Sequence, residues 1–153
     1  IRDALLGNTP PLAFRNPVFI LISIGVAAGV SLFVKQVIRR QTLLNVCDAI
    51  GLGAFTATGS SLALPYDNLA LVIALGVTTG IGGGVLRDVF VKEIPLVFRK
   101  EIYAMASMIG ALAFYAMQFV IPAGEAMYVT FALVTGIRLL SVRYGINLPR
   151  FRE

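Results

Sequence analysis

Few side chains in this sequence could do chemistry, and those few stand in apolar surroundings. Asp48 is the one charge between Leu43 and Leu64, and Arg138 is the one charge between Ala126 and Val142. Arg87-Asp88 closes an apolar run that contains Gly82, Gly83 and Gly84, and a second Arg-Asp pair, Arg2-Asp3, stands at the head of the sequence. A charge at the centre of an apolar helix costs about 2.5 to 3.5 kcal/mol, so it is kept where an ion path, a binding site or a partner charge uses it. The chemistry open to these groups is electrostatic. The chain has no His and a single Cys, Cys47, which removes the commonest general base, the commonest metal ligand and any internal disulfide. No two carboxylates are spaced on one helix face for acid–base work, so the sequence predicts no enzyme, no metal site and no cofactor.

The elements that must position these charges follow from composition. Of the 153 residues, 58% are hydrophobic and 14% charged, against about 25% charged in a soluble domain. The apolar residues are gathered into blocks close to the roughly 20 residues that a helix needs to cross a bilayer. The expectation is an all-α integral membrane protein surrounded by membrane lipid. A single transmembrane domain covers 1–153, with helices at 16–38, 42–64, 68–94, 102–121 and 126–143, and with 1–15 forming the end of an earlier helix and its loop. The net charge of +5 does not imply a nucleic-acid partner, because the basic residues lie in short runs between apolar blocks.

Successive crossings sort the charges unevenly. Lys35, Arg39, Arg40, Arg87, Lys92, Arg99, Lys100, Arg138, Arg143, Arg150 and Arg152 fall on one side, and only Arg2 and Arg15, with Asp3, Asp67 and Glu125, on the other. The basic excess marks the cytoplasmic face, which predicts a cytoplasmic C-terminus and residue 1 toward the outside. A start at Ile1, with no Met and no leader, reads as an N-terminally incomplete chain.

The sequence also repeats itself. Arg2, Asp3, Pro10, Leu12, Phe14 and Arg15 recur as Arg87, Asp88, Pro95, Leu96, Phe98 and Arg99, with one residue of gap. An odd number of crossings separates the copies, so they face opposite sides and form an inverted repeat, three plus three plus one helices in the complete chain. Such repeats place a permeation path or a binding site between two halves, commonly at interrupted helices. Duplication without transport is the plainer alternative. Three glycines in a row weaken a helix, and the 14 residues of Leu69 to Gly82 fall short of a bilayer core. The helix at 68–94 is therefore expected to be kinked or interrupted there, with Gly82, Gly83, Gly84, Arg87 and Asp88, together with Arg2, Asp3 and Asp48, as pore or gate residues. Arg87-Asp88 reads equally as an interfacial cap. Thr58, Ser60 and Arg138 are candidates for lining a path or for helix contacts; Arg138 either snorkels to the interface or, like Arg87, partners Asp48.

The pattern Asp48-x-x-Gly51-x-x-x-Phe55, then Gly82-Gly83-Gly84-x-x-Arg87-Asp88, then Pro95 and Tyr103, resembles the prokaryotic relatives of the trimeric intracellular cation (TRIC) channels, a group also labelled glycine-transporter-like. The resemblance implies a homotrimer with one pore per subunit, glycine-kinked pore helices, permeation of monovalent cations, chiefly potassium, and a place in the prokaryotic plasma (inner) membrane. Its alternative label leaves a secondary transporter of glycine or another small neutral solute as the second reading. Animal members carry a Lys-Glu-Val motif where this chain has the Arg-Asp pair, with Lys92-Glu93-Ile94 further along.

Overall fold

A computed structural model of the chain describes residues 3, 6–7, 10–32 and 41–145. Among them every regular element is helical: α1 Leu12–Arg15, α2 Pro17–Leu32, α3 Gln41–Ser61, a 3-10 turn Leu64–Tyr66, α4 Leu69–Phe90, α5 Leu96–Arg99, α6 Glu101–Met117 and α7 Ala123–Tyr144. The chain divides into two compact units, Ile1–Leu44 and Asn45–Glu153.

The first unit holds α1 and α2. Pro11, at φ −53° and ψ 147°, sets the backbone for a four-residue helix, and extended Asn16 ends it. Pro17 then opens α2, where a missing N–H removes no helical hydrogen bond, and Asn16 Oδ1 accepts from the Val18 amide at 3.0 Å. The second unit contains the same device: Pro95 at φ −51° and ψ 139°, the four-residue helix α5 and extended Lys100 before α6. The internal repeat is thus a repeated local structure. Its proline is Pro11 and not the expected Pro10, because the N-cap conformation fixes the register and moves the one-residue gap upstream.

In the second unit, residues 45–61 of α3 pack with α4, α6 and α7 around small side chains, among them Ala49, Ala57, Ala106, Ala111 and Ala126, all buried. Close approach here depends on absent side chains. A Cβ on Gly59 would lie 2.5 Å from the Leu75 carbonyl oxygen of α4, and one on Gly110 of α6 would run into Val134 of α7. The outward surface is apolar: Phe90, Val120 and Tyr128 are 83%, 84% and 77% exposed, a surface suited to lipid or to other apolar helices and costly in water. Leu69–Phe90 and Ala123–Tyr144 are long and apolar enough to cross a bilayer, and Pro17–Val30 and Ile102–Met117 are shorter apolar stretches.

Several expected boundaries move. The helix expected at 68–94 ends at Phe90, because the chain turns through Val91 and Lys92, the latter at φ 59°. That expected at 102–121 ends at Met117, whose carbonyl accepts from both Val120 and Ile121 amides. That expected at 126–143 begins earlier, at Ala123, with Pro122 as N-cap, and runs to Tyr144, where Gly145 at φ 61° stops it. The helix expected at 42–64 stops at Ser61 and passes into the 3-10 turn, with Pro65 in its first positions. That expected at 16–38 is helical over Pro17–Leu32, and 33–40 lie outside the described residues.

The interruption expected at the glycine run is not there. Helix α4 continues through Gly82, Gly83 and Gly84 to Phe90 without a break. Each glycine costs about 1 kcal/mol relative to Ala, whereas each backbone group left unpaired in an apolar setting costs several. The helical hydrogen bonds win.

Candidate functional site

The charges singled out in the sequence converge at one end of the second unit. Asp48 lies two turns into α3, Arg87 and Asp88 in the last turn of α4, Tyr103 in the first turn of α6, and Arg138 within two turns of the end of α7. The Asp48 carboxylate is the hub. Its Oδ1 accepts from Arg87 Nη1 at 3.1 Å and from the Tyr103 hydroxyl at 3.3 Å. Arg87 reaches back through Nε to Asp88 Oδ1 at 2.9 Å, so one guanidinium bridges two carboxylates. Its side chain is half-exposed, while those of Asp48 and Asp88 are 9% and 8% exposed. The bridge therefore sits at a boundary, with an exposed cation over two held anions.

Asp88 also shapes the chain that follows. Its Oδ2 accepts from the Leu96 amide at 2.9 Å, and its backbone carbonyl accepts from Glu93 at 2.9 Å. One residue thereby closes the turn and caps α5, whose own N-cap is a proline without a side-chain donor or acceptor.

Tyr103 carries the network inward. Its ring is buried, with the Arg138 guanidinium over it at 4.8 Å from Cζ to the ring centroid, a cation–π contact. Arg138 is 1% exposed, so it does not snorkel; its guanidinium rests on the aromatic face of Tyr103 instead. Its Nε and Nη1, like Asp48 Oδ2, are buried without a hydrogen-bond partner among the described residues. Gly84 makes the Tyr103–Asp48 contact possible, because a Cβ there would lie 2.9 Å from the Tyr103 hydroxyl. Cβ atoms on Gly82 and Gly83 would meet nothing within 4 Å. The role of the run nearest the charges is to leave room for a hydroxyl.

Further along α3, about 12 Å from Asp48 at 1.5 Å per residue, Thr56 and Ser107 hydroxyls share a buried hydrogen bond at 2.5 Å. Beyond them the buried Ser60 hydroxyl donates to the Val72 carbonyl at 3.4 Å. Thr79 and Thr130 contribute buried hydroxyls with no partner among the described residues. Thr58 instead donates to Ala54 O of its own helix at 2.7 Å and lines an apolar cavity of about 370 Å³ with Ala54, Ala57, Met127, Tyr128 and Phe131.

Of the residues expected at the site, Asp48, Arg87 and Asp88 are brought into one network, with Gly84 beside it and Arg138 behind it. Arg2 lies outside the described residues, and Asp3 is half-buried in the first unit. Adjacent helical residues point about 100° apart, so Arg87 and Asp88 need not meet; here the long guanidinium folds back and closes that angle. Tyr103, as the link between Asp48 and Arg138, and Ser107 escape a sequence reading as site residues. The available signal is polar and small residues at Tyr103, Ser107, Gly110 and Ala111, which fall on one face of α6.

The arrangement belongs to a known class. Over residues 45–119 the chain matches a family model described as glycine transporter. It is 37% identical over 159 residues to a UPF0126 membrane protein of Vibrio cholerae, covering 99% of this chain and 64% of that one. It is 34% identical over 157 residues to the UPF0126 inner membrane protein YadS of Escherichia coli K12, covering 99% and 75%. Among solved structures it superimposes at a TM-score of 0.90 and 31% identity on a chain from work on conductance through TRIC cation channels, covering 99% of this chain and 76% of that one. The TRIC trimeric intracellular cation channel orthologue from Rhodobacter sphaeroides matches at TM-score 0.87 and 35% identity, covering 95% and 76%. These neighbours are channels, not enzymes. The fold is that of multi-pass, all-α membrane proteins, and the chain belongs to the TRIC family, which the UPF0126 and glycine-transporter labels also describe.

Proposed function

We propose that this chain forms a monovalent cation channel, permeable to potassium, as a homotrimer with one pore in each subunit, in the inner membrane with its C-terminus cytoplasmic. The observation that carries this reading is Asp48, a nearly buried carboxylate with one oxygen, Oδ2, unpaired among the described residues. It stands at the head of a series of buried hydroxyls, Thr56, Ser107 and Ser60, in a fold matched by TRIC cation channels. A permeant cation needs weak, successive oxygen ligands and an anion to offset the loss of water. Asp48 and the hydroxyls are of that kind. Arg87 acts as the latch: while it bridges Asp48 and Asp88 it neutralises the anion that a cation would use, and its half-exposed side chain can leave without opening the core. The asymmetry of basic residues supports the orientation. The trimer rests on the solved relatives.

The description of the matching family model favours a second reading, a secondary transporter of glycine or another small neutral solute. One measurement separates the two: current through the purified full-length protein in a planar bilayer, under a potassium gradient and under a glycine gradient. Discrete single-channel steps that reverse near the potassium equilibrium potential support the channel. Glycine uptake into vesicles without such steps would replace it by the transporter.

A further inference from the structure

The Asp48 network holds two arginines for one shared carboxylate, and only one of them is bonded to it. Arg87 occupies Oδ1 from the exposed side. Arg138 is fully buried against the ring of Tyr103, whose hydroxyl bonds Asp48; among the described residues nothing accepts from Arg138 Nε or Nη1 and nothing donates to Asp48 Oδ2. Buried donors and acceptors are nearly always paired, so unmatched groups around one tyrosine call for an explanation. The neighbouring carboxylate is committed elsewhere: Asp88 binds Arg87 and the Leu96 amide.

We propose that Arg138 is the standby partner of Asp48: when Arg87 withdraws, the Arg138 guanidinium swings off the Tyr103 ring and pairs with Asp48 from within. Tyr103 is then the pivot of the exchange, since its ring supports Arg138 and its hydroxyl holds Asp48. The exchange explains why an arginine is kept buried with unsatisfied donors. A single fixed ion pair would need only one base, whereas a carboxylate that changes partners must find the second already inside, because removing one partner of a buried charge is otherwise strongly unfavourable. It also gives Arg138 a role in conduction, as the group that competes with permeant cations for Asp48. That last step rests on the channel reading; the exchange itself does not.

The test is a mutant cycle on the purified full-length protein in mild detergent, read by unfolding with dodecyl sulfate. Arg87→Ala and Arg138→Gln each leave Asp48 one base, so the double variant should unfold more readily than the product of the two single effects, by about tenfold, within the range measured for residues that share a network. In an Asp48→Asn background the excess should vanish. Should Arg138→Gln fail to fold, Asp48→Asn added to it should restore folding, and Arg138→Lys in the Arg87→Ala background should retain part of the lost stability because an ammonium still answers the carboxylate. Multiplicative single effects, an excess that persists without the Asp48 charge, or no rescue by Asp48→Asn would each overturn the exchange. Absence of potassium current from the wild-type protein would sink the channel reading and leave the cycle standing.

Discussion

Replacing the three glycines of α4 one at a time should separate a hinge from a clearance. In an exposed helix interior, Gly→Ala is worth about 1 kcal/mol in favour of the folded state. A methyl added at Gly82 or Gly83 would meet nothing within 4 Å, so Gly82→Ala and Gly83→Ala should each stabilise by about that amount. At Gly84 the same methyl falls 2.9 Å from the Tyr103 hydroxyl. The tyrosine cannot yield freely, since its ring is buried and stacked beneath Arg138. Pushing the hydroxyl off Asp48 forfeits a hydrogen bond to a carboxylate, worth about 1.5 kcal/mol at the long end of its distance range. The gain and the loss nearly cancel, which leaves Gly84→Ala about 0.5 kcal/mol less stable than wild type and about 1.5 kcal/mol below Gly83→Ala, roughly tenfold in the unfolding constant. Unfolding of the full-length variants in detergent measures this. If all three alanines stabilise equally, Gly84 is not making room for Tyr103. If all three destabilise and abolish current, the glycines serve as a hinge after all.

Arg87→Ala should raise open probability without unfolding the protein, because the bridge from the exposed side is lost and only Arg138 then competes with permeant cations for Asp48, while the half-exposed latch contributes little to stability; unchanged ion flux would leave Arg87 as no more than an end cap. Raising symmetric potassium chloride from about 0.1 M to 1 M shortens the screening length from about 10 Å to 3 Å and should likewise loosen the half-exposed bridge, so open probability should rise with salt in the wild type and not in Arg87→Ala. Asp88→Ala should leave the Leu96 amide without its acceptor, at about 1.5 to 3 kcal/mol for a bond to a charged group, and amide exchange should speed up at 96–99 before it does in α4. Thr56→Val orphans the buried Ser107 hydroxyl and should cost about 1 to 3 kcal/mol, while adding Ser107→Ala should recover part of it; a strictly additive double variant would mean that the pair is not a bond.

How much of this is legible in the sequence depends on range. The apolar blocks announce the long helices, and the recurrence of Leu12, Phe14 and Arg15 as Leu96, Phe98 and Arg99 announces the repeat though not its short helix, because both signals are local. Asp48 and Arg87 can be matched although they stand 39 positions apart, because an isolated charge in an apolar run needs a partner. The Thr56–Ser107 bond spans 51 residues, and a threonine or serine in an apolar helix also satisfies itself on its own backbone, as Thr58 does; nothing in one sequence separates the two cases. The glycine run does not by itself decide a break, because the roughly 1 kcal/mol that each glycine costs is outweighed in apolar surroundings by the cost of backbone groups left unpaired. Arg138 has two fates in the sequence because the face that holds it belongs to Tyr103, on another helix.

The double grip of Asp88 turns a loop into a lever. With one carboxylate oxygen on Arg87 and the other on the first amide of α5, residues 91–95 are no slack tether between α4 and α5. Torque on the end of α4 reaches the start of α5 through a single rigid side chain, and α5 ends one residue before the helix that carries Tyr103. A pull on Arg87 from outside therefore arrives at Tyr103 by two routes, through Asp48 and along the chain. A mechanism geared in this way moves as a unit or not at all, so its conductance should switch between discrete levels and not grade.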